Sequence, residues 1–309
     1  MDAFDEARAT VQQTGSRLAG AKAIMTALAE HPAETARRYG WLANATPLVS
    51  AEHLSALADQ LSAGYQSAQP FPHVVIDNLF DDALLDVLLA SFPDPAAPFW
   101  HRFKSDREIK LALDQEDKVP IEIRLFLYFL NGSTFLNFLE RLTGISGLIP
   151  DPLWDGGGLH QIQSGGKLAI HADFNSHNHT KLDRRLNLLL YLNKDWQPEY
   201  GGDLELWDRD MKACVRKIAP LFNRTVVFST TDYSFHGHPD VLTCPPGRAR
   251  KSLALYYYSN GRPAGERSGS HATLFVRRPS DTFKSNFQRR LTPRMPKTLT
   301  RLMRYLVGP

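Results

Sequence analysis

Cysteine is nearly absent, with only Cys214 and Cys244 in 309 residues. That is too few for a disulfide framework and in keeping with free thiols in a reducing compartment. Long apolar runs are missing too: no stretch of about 18 uncharged apolar residues occurs. The first ten residues, MDAFDEARAT, are acidic where a secretory leader would be basic and then apolar. These absences argue against a membrane span and predict a cytoplasmic protein. An excess of charge of one sign is lacking as well. A net charge of +3, with 22% charged and 43% hydrophobic residues, excludes disordered and fibrous classes. No internal repeat or low-complexity tract is visible.

The small net charge hides an uneven distribution. From Arg277 onward nine Lys or Arg stand against one acid, Asp281. Such a segment suits an acidic partner, although a solvated helical face is the simpler expectation; nucleic-acid binding is not expected.

Residues 1–68 are rich in Ala and Leu at helical spacing, as in Leu54, Leu57 and Leu61, and predict a helical region. At QPFPHVVIDNLF paired prolines precede an apolar run that predicts the first strand. Asp81 then caps the helix of ALLDVLLASF, and a second helix is predicted over residues 121–142. From residue 156 to 259 the texture becomes LHQIQ, KLAIHAD, LNLLLYLN, DLELWD, TVVFST and SLALYYYS, short runs separated by Gly, Pro, Asn and Asp. Many short strands at close spacing indicate a sandwich or barrel. The expected organisation is a helical region over 1–68, a β-rich domain over 69–262 and a basic extension over 263–309.

If KLAIHADFN is a strand, residues two apart share a face, so His171 and Asp173 present an imidazole and a carboxylate side by side. Two His and one carboxylate on one face of a metal leave coordination positions open, as in Fe(II) oxygenases. A third ligand should come from a later strand, and SFHGHP offers His236 or His238. Fourteen residues past His236 stands Arg250, followed by Ser252. On a strand these two also share a face, and a guanidinium with a hydroxyl can grip a carboxylate by charge-assisted hydrogen bonds.

With these residues in place the sequence resembles the 2-oxoglutarate and Fe(II)-dependent oxygenases of the prolyl 4-hydroxylase-like branch, over roughly residues 71–260. The resemblance is carried by PFPHVVIDNLF, HADFN, RRLNLLLYLN, EYGGDLELWD, SFHGHP and GRARKSLALYYYS. It implies an α+β protein with a mainly β core, a double-stranded β-helix of the jelly-roll or cupin kind, supported by N-terminal and C-terminal helices. It also implies Fe(II) held by His171, Asp173 and His236, and 2-oxoglutarate whose far carboxylate is held by Arg250 and Ser252. Tyr191 and Gln161 are implied to contact that co-substrate. His238 stands where the family usually has an apolar residue, so His236 is preferred as third ligand, with His238 as the alternative or as a pocket residue. O2 is the implied oxidant and ascorbate a candidate reductant. Because halogenating relatives lack the carboxylate ligand, Asp173 points to hydroxylation.

The implied reaction hydroxylates a C–H bond of an amino-acid, peptidyl (prolyl-type) or other small substrate while 2-oxoglutarate becomes succinate. Two other readings are an oxygenase tailoring a sugar or lipid intermediate and a non-catalytic cupin-like binding or scaffold protein. The polar setting of NSHNH predicts His177 and His179 at the surface, and His160 is expected as a core or rim residue. Trp207 and Tyr256 to Tyr258 are expected in the sheet core, Gly201 and Gly202 in a turn.

Overall fold

The computed structural model describes residues 48–281 apart from Arg267. The helices expected before residue 48, and most of the basic extension, lie outside the described residues. The chain forms two compact units, the first ending at Val276 and the second starting at Arg277. A helix before residue 69 packs within the first unit, and a strand after residue 262 pairs into its sheet.

The strands are β1 (His73–Asp77), β2 (His101–Lys104), β3 (Glu108–Leu113), β4 (Ile149–Pro150), β5 (Gly158–Gln163), β6 (Lys167–Ala172), β7 (Asp183–Tyr191), β8 (Leu204–Trp207), β9 (Cys214–Ile218), β10 (Arg224–Ser229), β11 (His236–His238), β12 (Ala249–Ser259) and β13 (Leu274–Phe275). They form one sheet in the order β1-β10-β7-β12-β5-β3-β6-β11-β8-β9, with β2 on β3, β4 on β12 and β13 on β6. Every ladder is antiparallel. The sheet doubles back on itself, so that Leu204 and Leu206 of β8 pack against Tyr191, Val226 and Phe228 of β7 and β10. This is the expected double-stranded β-helix.

Strand periodicity divides the residues between two environments. Leu186, Leu188 and Leu190 of β7, with Leu253, Leu255 and Tyr257 of β12, face a layer of helices. Asn187 and Leu189, with Arg250, Ser252 and Tyr256, face the inside. Each fully buried Leu or Phe of the outer layer contributes on the order of 2 kcal/mol.

That layer begins with α1 (Ala51–Ser67), where the Ser50 side chain accepts the His53 N–H at 3.1 Å. It buries Leu54, Ala58 and Tyr65, and Tyr65 Oη shares a 2.8 Å hydrogen bond with Ser229 of β10. Asp81 caps α2 (Asp82–Ala90) by accepting from the Ala83 and Leu84 N–H groups. The single helix expected over residues 121–142 is two, α3 (Ile121–Leu130) and α4 (Ser133–Thr143), interrupted at Asn131 and Gly132. Tyr257 of β12 donates to the last carbonyl of α3, Leu130, at 3.0 Å, which pins this layer to the sheet.

Candidate active site

β11 runs antiparallel to β6 with His236 directly opposite His171, and Asp173 follows one residue after β6 ends. The two imidazole rings lie 4.5 Å apart between centroids. Asp173 Oδ1 is 3.5 Å from His171 Nε2, and Oδ2 is 3.5 Å from His236 Nε2. One donor atom from each of the three residues lies within 4.8 Å of the others, and all three side chains are buried. His238 is not in this group.

The strands can approach this closely because Gly237 separates the two histidines. A Cβ there would stand 2.8 Å from the Ala169 carbonyl oxygen and 2.9 Å from that of Leu168.

Hydrogen bonds orient each candidate ligand. His171 Nδ1 is 2.8 Å from the Ala169 carbonyl, and His236 Nδ1 is 2.9 Å from the Ser234 carbonyl. A carbonyl only accepts, so each Nδ1 donates to its carbonyl, which turns each Nε2 toward Asp173. Burial brings His236 down to about 4, against the pull of Asp173, so its ring is neutral at physiological pH. Burial by itself would raise the Asp173 carboxyl, but Arg184 and the two histidines outweigh it and hold the group well below the usual carboxylate range. Two imidazoles and one carboxylate fit a divalent first-row metal.

Asp173 has its own support. Asn187 donates to Oδ2 at 2.6 Å, and Arg184 approaches the same oxygen at 3.1 Å. Arg184 also donates twice to Asn187 Oδ1, at 3.0 and 2.7 Å, and its guanidinium lies 3.4 Å over the Tyr256 ring. The motif RRLNLLLYLN contains both residues, yet strand alternation would turn Arg185, not Arg184, to the side of Asn187. The β7–β12 register shifts between Tyr257 and Tyr258, pairing Tyr257 with Leu186 but Tyr258 with Arg184. This bulge brings Arg184 inward, while Arg185 bonds Ser259 and Glu266. A bulge leaves no sequence signal that period-two reading detects.

Arg250 and Ser252 line the same cavity of about 240 Å³ as the triad. Arg250 donates from Nε to the Gly202 carbonyl at 2.8 Å and from Nη2 to Tyr191 Oη at 3.1 Å. Gly202 is therefore more than a turn residue, since a Cβ on it would meet Leu242 at 2.6 Å and the Arg250 side chain at 3.1 Å. Tyr191 is fully buried and reaches the cavity's chemistry by holding Arg250.

The expectation for Gln161 is corrected. On β5, His160 and Ile162 line the cavity, so Gln161 between them faces the opposite side, as Leu159 does in the helix-facing core. His177 is also corrected: it is buried, and its Nδ1 accepts the backbone N–H groups of His179 and Thr180, both at 3.1 Å. His179 is exposed. Tyr256, expected in the sheet core, lines the cavity. Sequence reasoning did not find the hairpin of β2 and β3, which supplies Phe103, Glu108 and Lys110 to the cavity, nor β13, which brings Phe275 opposite His171. HRFK and EIKLAL alternate charged with apolar residues too weakly to stand out.

A double-stranded β-helix carrying a buried pair of histidines and a carboxylate on one metal-sized face, with an arginine in the same cavity, is the architecture of a non-haem iron oxygenase. Consistent with this, residues 157–258 match the 2OG-Fe(II) oxygenase superfamily. Its reactions employ Fe(II), 2-oxoglutarate and O2. Among curated relatives, the chain is 26% identical over 198 residues to the mouse (Mus musculus) protein prolyl 3-hydroxylase OGFOD1, covering 63% of this chain. The match covers 34% of the mouse protein, so the chain spans about a third of that relative's length. Among solved structures, a Trichoplax adhaerens prolyl hydroxylase in complex with a hypoxia inducible factor peptide matches at a TM-score of 0.51 and 17% identity, over 67% of this chain and 91% of that one. A Pseudomonas putida prolyl-4-hydroxylase matches at 0.47 and 19%, over 67% and 100%.

Proposed function

We propose that this chain is an Fe(II)- and 2-oxoglutarate-dependent dioxygenase that hydroxylates a C–H bond of a peptidyl residue, prolyl in type, or of a small substrate. The observation that carries this reading is the meeting of His171, Asp173 and His236 within 4.8 Å in a cavity that also holds Arg250 and Ser252. The peptidyl class is supported by the prolyl hydroxylases among the relatives. When bound, iron supplies oxygen activation coupled to decarboxylation of 2-oxoglutarate.

The protein's own residues do the remaining work. His171 and His236 offer Nε2 lone pairs because their Nδ1 protons are committed to backbone carbonyls. Asp173 offers its carboxylate, oriented by Asn187 and Arg184. Arg250, steadied by Gly202 and Tyr191, and Ser252 would hold the far carboxylate of the co-substrate. Ile162, Leu168, Leu189 and Tyr256 supply apolar and aromatic walls to the cavity.

The free thiols Cys214 and Cys244 support a cytoplasmic setting, and no helix among the described residues is long and apolar enough to cross a membrane. For the basic segment from Arg277 we propose contact with an acidic partner as the alternative to a solvated face, and either role predicts undiminished succinate formation after removal of residues 281–309.

The test is anaerobic addition of Fe(II) and 2-oxoglutarate. A weak visible charge-transfer band should form, Asp173→Ala should abolish it, and aerobic wild-type protein should slowly release succinate. Absence of both band and succinate in the wild type would reject the oxygenase reading. Mass spectrometry for the gain of one oxygen atom, over peptide and small-molecule libraries, then identifies the substrate.

A further inference from the structure

His238 is left over from the assignments above. It lines the cavity, is 3% exposed, and has both ring nitrogens shielded from water with no hydrogen-bond partner among the described residues. A buried polar group without a partner is costly, and an apolar side chain would fill the same wall at no such cost. Leu168 lies opposite it on β6, and Ile162 and Leu204 line the same cavity. A neutral imidazole, in contrast, always carries one N–H that needs an acceptor.

His238 is not a fourth member of the metal group, which consists of His171, Asp173 and His236. It stands two residues beyond His236, about 7 Å along an extended strand. Arg250 is the charge that bears on it most strongly, ahead of Lys110, His171 and His160. It lines the same cavity as Arg250 and the three residues of the metal group.

We infer that His238 is a hydrogen-bond donor to the distal carboxylate of the dicarboxylate co-substrate, acting beside Arg250 and Ser252 as a positioning and selectivity residue. The inference rests on the oxygenase reading given above. A carboxylate oxygen is the acceptor that the His238 N–H lacks, and Arg250 brings such a group to this wall. The ring transfers no proton in this role. It helps the site tell a dicarboxylic 2-oxo acid from one that lacks the second carboxylate.

The experiment compares Fe(II)-loaded wild type, His238→Leu and His238→Gln under anaerobic conditions. 2-Oxoglutarate and 2-oxobutanoate, which has no distal carboxylate, are titrated by the charge-transfer band, and Fe(II) affinity is measured separately. His238→Leu should weaken 2-oxoglutarate binding about ten-fold, with Fe(II) and 2-oxobutanoate affinities unchanged. His238→Gln, which retains an N–H donor, should stay nearer to wild type. Equal 2-oxoglutarate affinity in wild type and His238→Leu overturns the inference, as does an equal loss for both oxo acids, which would mean that the ring only shapes the wall. If His238→Leu does not fold, the ring N–H resonances of Zn(II)-substituted wild-type protein decide the matter. One of them, identified by its loss in His238→Gln, should move downfield with 2-oxoglutarate and not with 2-oxobutanoate; no such shift overturns the inference. A wild type that gives no 2-oxoglutarate-dependent band removes the oxygenase reading and this inference together. A normal band with an indifferent His238 removes the inference alone.

Discussion

His236 faces His171 across the β11–β6 ladder, with ring centroids 4.5 Å apart and Asp173 within 3.5 Å of both Nε2 atoms. Two histidines 65 positions apart in sequence are thereby held by backbone pairing, and the site's precision is that of the ladder.

Gly237→Ala tests this dependence. The added methyl would press on the carbonyls of Ala169 and Leu168, so β11 must move away from β6. A destabilisation of about 2 kcal/mol is expected, with a marked loss of Fe(II) affinity. Thermal denaturation and metal titration check it, and an alanine variant with wild-type iron affinity would show that the ladder does not set the triad.

Arg184→Met removes the buried cation that supports Asp173 while keeping much of the side-chain volume. The remaining carboxylate loses its nearest positive charge, and breaking such a buried pair costs about 3–5 kcal/mol. Metal affinity should fall 10- to 100-fold, roughly as for other supports of metal ligands. Asn187→Ala should act in the same direction with a smaller effect, because it leaves Arg184 in place. The measurement is Co(II) titration followed by visible absorption; unchanged affinity in both variants would contradict the support role.

Arg250→Ala should raise the 2-oxoglutarate requirement about 100-fold and leave Fe(II) affinity nearly intact, since Arg250 is not among the triad. Tyr191→Phe deletes one hydrogen bond to Arg250 and should raise the requirement several-fold at most. Concentration dependence of succinate formation checks both. The reverse pattern, with iron affinity lost and co-substrate affinity kept, would remove Arg250 from the clamp.

The metal-free protein should lose stability in mild acid. Burial, with Lys110 nearby, brings His160 down to about 3, and burial brings His236 down to about 4. Unfolded histidines titrate near their ordinary value of ~6.5, so below that pH the unfolded chain binds protons that the folded chain refuses. Stability is full above ~6.5 and declines as pH falls toward 4, by up to about 1.4 kcal/mol per pH unit for each such group. The Asp173 carboxyl, held low, adds its loss only in stronger acid. Urea denaturation at pH 7 and pH 5 measures the difference, and a flat profile would mean that these rings are solvated.

Much of the site was legible because it depends on strand alternation alone. The pairs His171 with Asp173 and Arg250 with Ser252 are each two residues apart, and a two-residue period puts both members on one face wherever the strand lies. The same local rules gave the helix cap at Asp81 and the turn-separated strands from residue 156 to 259. What local rules do not contain is phase and register. Gln161 and His160 are adjacent in LHQIQ, and only the packing of Leu159 against the helices decides that His160 turns to the cavity. The choice of His236 over His238 follows from which residue the ladder sets opposite His171. Arg184 enters through a bulge, and Phe275 through a strand that joins the sheet about a hundred residues after its partner. The sequence by itself therefore determined the candidate ligand types and their spacing, and its resemblance to a known family indicated the class of barrel. Tertiary structure alone decided which side chains meet, because pairing between distant strands is fixed by the burial of both faces of the sheet at once, a condition that no short segment can express.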